Sequence, residues 1–139
     1  MLITYAADKY PSREDLVDLY DAVEWAAYTN DPDRLASTAA ASFTVATARD
    51  ESGMLVGLAL VVGDGMTIAY LQDVLVRPSH QRHGIAREWR RRAFEPSADV
   101  RQKVLMTDDE PERRAFYESI GFTEVRELPF PIRVFARLE

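Results

Sequence analysis

Val74, Leu75, Val76, Arg77, Pro78, Ser79, His80, Gln81, Arg82, His83, Gly84, Ile85, Ala86 is the stretch on which the reading of this chain turns. Three β-branched or aliphatic residues run into Arg77 and Pro78, so a strand ends there; past Gly84 the apolar spacing becomes helical. The first turn of a helix presents N–H groups without an internal partner, at the positive end of the backbone dipole. A strand, a short loop and such a helix start together make a site for an anion. Gly84 lets a diphosphate approach the backbone, since no side chain stands in the way. Ala86 keeps the next position small, and Arg82 and Arg87 add charge-assisted hydrogen bonds. Arg90, Arg91 and Arg92, one turn further on, extend the cationic cluster toward a more distant phosphate. Charge clusters of this kind are often only solvated helix faces, so the neighbouring residues must decide.

Working outward toward the N-terminus, Thr67 to Arg77, Met54 to Val62 and Phe43 to Arg49 read as three antiparallel strands. Asp50, Glu51, Ser52 and Gly53 form one turn between them, and Gly63, Asp64 and Gly65 the other. Before them, Asp31 and Pro32 open a short helix through Leu35. Ser12 caps an earlier one carrying Leu16, Leu19, Tyr20 and Val23 at helical spacing, and Leu2 to Ala6 is a first strand. Toward the C-terminus, Gly84 to about Phe94 is a helix and Lys103 to Thr107 a buried-looking strand. Asp109 with Glu112 forms a capping box for a helix from Glu110 to Ile120, which Gly121 closes. Phe122 to Val125 and Ile132 to Leu138 read as the last strands. The order is strand, two helices, three antiparallel strands, helix, strand, helix, two strands. It implies an α+β fold: a mixed, mostly antiparallel central sheet of about six to seven strands with about four helices, in a single domain over residues 1–139.

Two motifs in register carry a family resemblance. Gln81, Arg82, His83, Gly84, Ile85 and Ala86 fill the pattern Q/R-x-x-G-x-G/A, with Ala86 as an allowed variant at the last place. Ala115, Phe116, Tyr117, Glu118, Ser119, Ile120, Gly121 and Phe122 match a second motif near the C-terminus. Both, and the element order over most of the chain, resemble the GNAT superfamily of N-acetyltransferases. The resemblance implies acetyl-CoA as co-substrate, no metal, and a sheet splayed between its fourth and fifth strands. Pantetheine then pairs with the backbone of Val74, Leu75 and Val76 as a substitute strand. His83 and Ile85 contribute to the phosphate loop through backbone, and neither His80 nor His83 is assigned catalysis.

Transfer from a thioester to an amine needs a neutral amine, support for an oxyanion and a proton for the departing thiolate. The resemblance assigns the proton to Tyr117, which also borders the cofactor, and the oxyanion contact to the backbone N–H of Leu75. Asp73, a carboxylate in an apolar strand, needs either a partner or a purpose. It is read equally as a base or holder of a cationic substrate and as a structural hydrogen-bonding group. Glu24, Trp25 and Tyr28 end the first helix, a region that lines the acceptor side in the family; aromatic rings beside a carboxylate suit an amine. Many family members carry Asn seven residues before the tyrosine, where this chain has Glu110, which removes that side-chain contact to pantetheine.

Composition sets the outer bounds. The chain has 139 residues, 47% of them apolar, enough for one core. A net charge of −6 disfavours nucleic acid as a partner and suits a cationic one. The absence of cysteine removes disulfides and thiolate chemistry. No run approaches the roughly 20 apolar residues of a membrane span, and no signal-like start is present, so a soluble, cytoplasmic protein without a membrane partner is expected. Exposed end strands allow a homodimer. The leading expectation is acetylation of a primary amine on a small molecule. Its alternatives are acetylation of a protein at lysine or an N-terminus, and a non-catalytic module that senses acetyl-CoA.

Overall fold

The computed structural model describes residues 2–139, apart from the side chains of Ala26 and Arg90. The chain forms two compact units, residues 2–106 and Thr107–Glu139.

In the first unit, strands β1 (Thr4–Ala7), β2 (Thr44–Arg49), β3 (Leu55–Gly63), β4 (Ile68–Val76) and β5 (Gln102–Val104) form one sheet in chain order. The first four are antiparallel and β5 joins β4 in parallel. Both hairpins are tied by an aspartate. Asp50 Oδ1 accepts from the backbone N–H of Ser52 and Met54 and from the Ser52 hydroxyl, and the Asp64 carboxylate accepts from Met66, Thr67 and Ile68 N–H. Short carboxylates suit such turns because they replace the backbone acceptors that the reversing chain lacks.

Helix α1 (Arg13–Ala22) starts where Ser12 Oγ accepts from Asp15 N–H. One-turn α2 (Ala26–Thr29) follows, then α3 (Pro32–Ala41), capped by Asp31 accepting from Arg34 N–H with Pro32 in the first turn. Both caps fall where the sequence put them. Leu16, Leu19 and Tyr20 of α1 and Leu35 and Ala39 of α3 pack with Val45, Leu58, Leu60 and Leu75 of the sheet. Gly57, the neighbour of Leu58, faces the opposite side, because successive strand residues alternate. There α4 (Ile85–Arg92) is seated: a Cβ on Gly57 would lie 2.9 Å from Trp89 and 3.1 Å from Ile85. The missing side chain is what lets α4 approach the sheet.

Six sequence expectations are corrected. Among the described residues the sheet has five strands rather than about six to seven, and there are five α-helices rather than about four, one of them the single turn α2. The strand expected as buried at Lys103 to Thr107 is Gln102–Val104, exposed throughout, because it is an edge strand paired over only three positions. In the second unit, α5 (Pro111–Ser119) begins after Glu110, and no side chain caps it. Pro111 forces the residue before it to be extended, so Glu110 ends the loop and the Asp109–Glu112 capping box does not form. Phe122 to Val125 is not a strand. Arg114 gathers Glu118, Glu124 and Glu127, and two carboxylates three residues apart on one cation favour the 3-10 turn seen at Val125–Glu127. Ile132 to Leu138 keeps the alternation of a strand but is exposed and joins no ladder among the described residues. Pro129 and Pro131, which lack N–H donors, stand at its entry.

Candidate active site

The parallel pairing of β4 with β5 covers only Ile68, Ala69 and Tyr70; β4 then continues to Val76 with no paired strand on that edge among the described residues. The direction of its backbone groups follows from one bond. Arg77 N–H donates to Val56 O at 2.7 Å, so in the antiparallel ladder the groups of Leu75 and Asp73 also face β3. Those of Val74 and Val76 point to the open edge. Gln81 Nε2 donates to Val76 O at 3.2 Å, as this requires. Leu75, expected as the oxyanion donor, therefore turns its N–H away from the open edge.

β4 leads into the expected loop. A 3-10 turn at Pro78–His80 is pinned by Arg77, whose guanidinium donates to Leu55 O and to Asp18, and by the buried His80, which accompanies Ser79 at 2.7 Å and Asp50 at 3.7 Å. His80 is thus a structural member of the turn. Ser52 and neighbouring backbone donors, with His80 nearby, hold the Asp50 carboxyl below the usual range. Gln81, Arg82, His83 and Gly84 are exposed, and Arg82 (φ 65°) and Gly84 (φ 82°) are both left-handed. For an arginine that conformation is strained, and such strain collects at binding loops. Gly84 caps α4 without any side-chain acceptor, and a Cβ placed on it would meet nothing within 4 Å. The start of α4 thus has no side-chain cap, and the space beside Gly84 is open. Together with the bare edge of Val74 and Val76, this fits a diphosphate on an extended arm, as acetyl-CoA carries. Arg87 and Arg91 are exposed, while Arg92 is engaged with Glu88 at 3.0 Å and lies over the Tyr5 ring. Arg90, expected to extend the cluster, has a side chain outside the described residues.

Around Asp73 the structure assembles an aromatic wall. Tyr20, a core residue in the sequence reading, donates its phenol to Asp73 Oδ2 at 2.7 Å, and both are buried. Trp25 and Tyr28 stand 6.1 and 5.4 Å from the Tyr20 ring, and burial and then Asp73 push the Tyr28 phenol above its ordinary range, with the nearby Gln72 side chain opposing them. Burial pushes the Asp73 carboxyl above its ordinary range, and the Tyr20 bond pulls it partly back. Glu24 is exposed and left-handed at φ 64°. It closes α1 in a Schellman turn, in which Glu24 N–H donates to Asp21 O and Trp25 N–H to Tyr20 O. Asp73, Trp25 and Tyr28 are thus brought together, with Glu24 on the adjoining turn. Tyr20 and Gln72 were not legible as partners of this group, since both look like ordinary members of their elements.

In the second unit Tyr117 is half-buried on α5, its ring 5.1 Å from Phe116 and 6.4 Å from Phe122. Among the described residues no group of three or more His, Cys, Asp or Glu could hold a metal ion, and no helix is long and apolar enough to cross a membrane.

No protein of curated function matches the chain. Among solved structures, it is similar to a GNAT-family acetyltransferase from Streptococcus pneumoniae TIGR4, with 28% identity over 99% of this chain and 100% of that one and a TM-score of 0.83. Two aminoglycoside acetyltransferases from uncultured soil metagenomic samples share the fold. One, in complex with sisomicin, is 16% identical over 99% of this chain and 97% of its own, with a TM-score of 0.69. The other is 19% identical over 97% and 100%, with a TM-score of 0.71. The acetyltransferase (GNAT) domain family matches residues 39–124, which include the open edge of β4, the glycine loop and α5, and the chain belongs to that family.

Proposed function

We propose that the chain is an N-acetyltransferase that moves the acetyl group of acetyl-CoA to a primary amine of a small molecule. One observation carries this reading: the unpaired edge of β4 leads through one short loop into a glycine-started helix without a side-chain cap. Bound acetyl-CoA supplies an acetyl thioester, whose C–S bond breaks as the new C–N bond forms. Val74 and Val76 hold the pantetheine through their edge-facing backbone, with Leu75 between them buried as a packing residue. The backbone of Gln81, Arg82, His83, Gly84, Ile85 and Ala86 receives the diphosphate, and Arg87 adds charge. The N–H of Val74, rather than that of Leu75, supports the oxyanion, because of these two it is aimed at the open edge.

Asp73 accepts the proton that the amine loses, and Tyr117, by its motif, gives one to the thiolate. Trp25, Tyr28 and Glu24 frame the acceptor, which the carboxylates and rings favour as a cation. Residues 1–139 are read as one catalytic domain, and the relatives that act on aminoglycosides support a small polar amine as acceptor.

The test is to mix the protein with acetyl-CoA and separate panels of polyamines, aminoglycosides, arylalkylamines and lysine peptides, following free thiol against an amine-free blank. Saturable release with a small amine is expected. Release with peptides alone would overturn the small-molecule reading, and tight acetyl-CoA binding with no release for any acceptor would make the chain a sensor.

A further inference from the structure

The hydroxyl of Tyr20 is not explained by packing. The residue has no exposed surface and sits among Leu16, Leu19, Leu58, Leu60 and Leu75, where phenylalanine would fill the same space. Its oxygen instead reaches across 53 positions of sequence to Asp73 Oδ2. A buried carboxylate needs compensation, and the usual compensation is a cation. This molecule uses cations freely elsewhere: Asp15 has Arg49, Asp18 has Arg77 and Asp33 has Arg13. Asp73 has none. Among the described residues its single side-chain donor is a neutral phenol, and its other oxygen accepts no hydrogen bond.

The difference is chemical. An arginine would orient the carboxylate and also neutralise it, leaving a poor proton acceptor; a phenol orients it and leaves the negative charge in place. We propose that Tyr20 is a positioning residue for the transfer reaction: it fixes one oxygen of Asp73 and presents the other, still basic, to the acceptor amine. The proposal rests on the reading of Asp73 as proton acceptor and adds the device that makes a buried aspartate usable in that role. The groups facing Asp73 are few. Tyr20 comes from α1, Tyr28 from α2, and Leu60 lies opposite on β3, while Tyr70 of β4 acts on Tyr28 rather than on Asp73. Tyr20 remains a donor at every working pH, since burial and the neighbouring carboxylate push its phenol above the ordinary range.

Two readouts test this. The first is the titration of the Asp73 carboxyl by NMR in protein labelled at aspartate Cγ, the signal assigned with Asp73→Asn. The second is the pH profile of kcat/KM for the acceptor. Removing a hydrogen bond to a charged carboxylate raises its midpoint, so Tyr20→Phe is expected to move both the titration and the ascending limb upward by about one pH unit. At a pH below that limb, turnover falls about tenfold. If Tyr20→Phe fails to fold, 3-fluorotyrosine at position 20 keeps the shape while strengthening the donor, and both midpoints must then move down. An unmoved Asp73 midpoint, or a moved midpoint with a stationary limb, overturns the positioning role. If Asp73→Asn keeps full kcat/KM at every pH, the proton-acceptor reading itself fails, and the proposal with it.

Discussion

Gly84 combines a left-handed backbone with open space at the point where its Cβ would stand. Those two properties can be separated by mutation. Asparagine tolerates the left-handed region better than other residues with a Cβ, so Gly84→Asn should leave the urea midpoint close to that of the parent. Its side chain occupies the space beside the uncapped N–H groups, so acetyl-CoA affinity measured calorimetrically should fall at least tenfold. Unchanged affinity would remove the diphosphate from this loop. Tyr117→Phe makes a different prediction. If the phenol protonates the thiolate, turnover drops on the order of 100-fold while acetyl-CoA affinity is retained. Equal turnover across the pH range would rule the role out. The left-handed turn at Gly84 was legible at this scale because a glycine in a fixed local pattern reports backbone directly. Tyr20 was not legible, since a tyrosine at core spacing looks the same whether or not its hydroxyl has a distant partner.

At the scale of elements, α4 owes its seat to Gly57, over which Trp89 and Ile85 lie too close for a Cβ. Gly57→Ala should therefore cost about 1–3 kcal/mol by overpacking, read in urea unfolding, and should weaken acetyl-CoA binding by displacing the helix start. The end of α1 predicts the opposite sign. Glu24 takes the left-handed position of a Schellman turn that glycine usually fills, so Glu24→Gly should stabilise the protein by roughly 1 kcal/mol in the same assay. If Glu24 also attracts the cationic acceptor, the variant will be more stable and have a higher acceptor KM. The starts of α1 and α3 were read correctly from local signals, whereas the Asp109–Glu112 capping box did not form because Pro111 overrides it. Ser12, Asp31 and Pro32 start their helices where expected because a cap depends only on residues a few positions away. The strands expected past Gly121 failed for the complementary reason. Alternation expresses a preference, whereas a strand needs a partner edge, and at Glu124 and Glu127 the pull of Arg114 sets a turn instead.

For the molecule as a whole, acid stability should follow its carboxylates. Hydrogen bonds hold Asp50 and Asp64, the two hairpin aspartates, below their ordinary range, with the hydroxyls of Ser52 and Thr67 as the largest causes. A carboxyl depressed in the folded state stabilises the fold above its unfolded pKa, about 4, and that contribution is lost as pH falls toward the folded value. Asp50→Asn and Asp64→Asn should each flatten the loss of Tm between about pH 4 and pH 2. Asp73 works in the other direction. Its folded pKa is raised, so the folded state holds the proton longer and stability declines as pH rises from about 4 through the folded value; Asp73→Asn should remove that decline.

The sequence by itself determined the antiparallel meander, the starts of α1 and α3, the glycine loop and the family they resemble, because each depends on residues near one another in the chain. Only the tertiary structure decided that the donor at the open edge is Val74 rather than Leu75, and that Asp73 is held by a phenol from α1. Both follow from ladder register and from packing across 53 residues, quantities that no local pattern encodes.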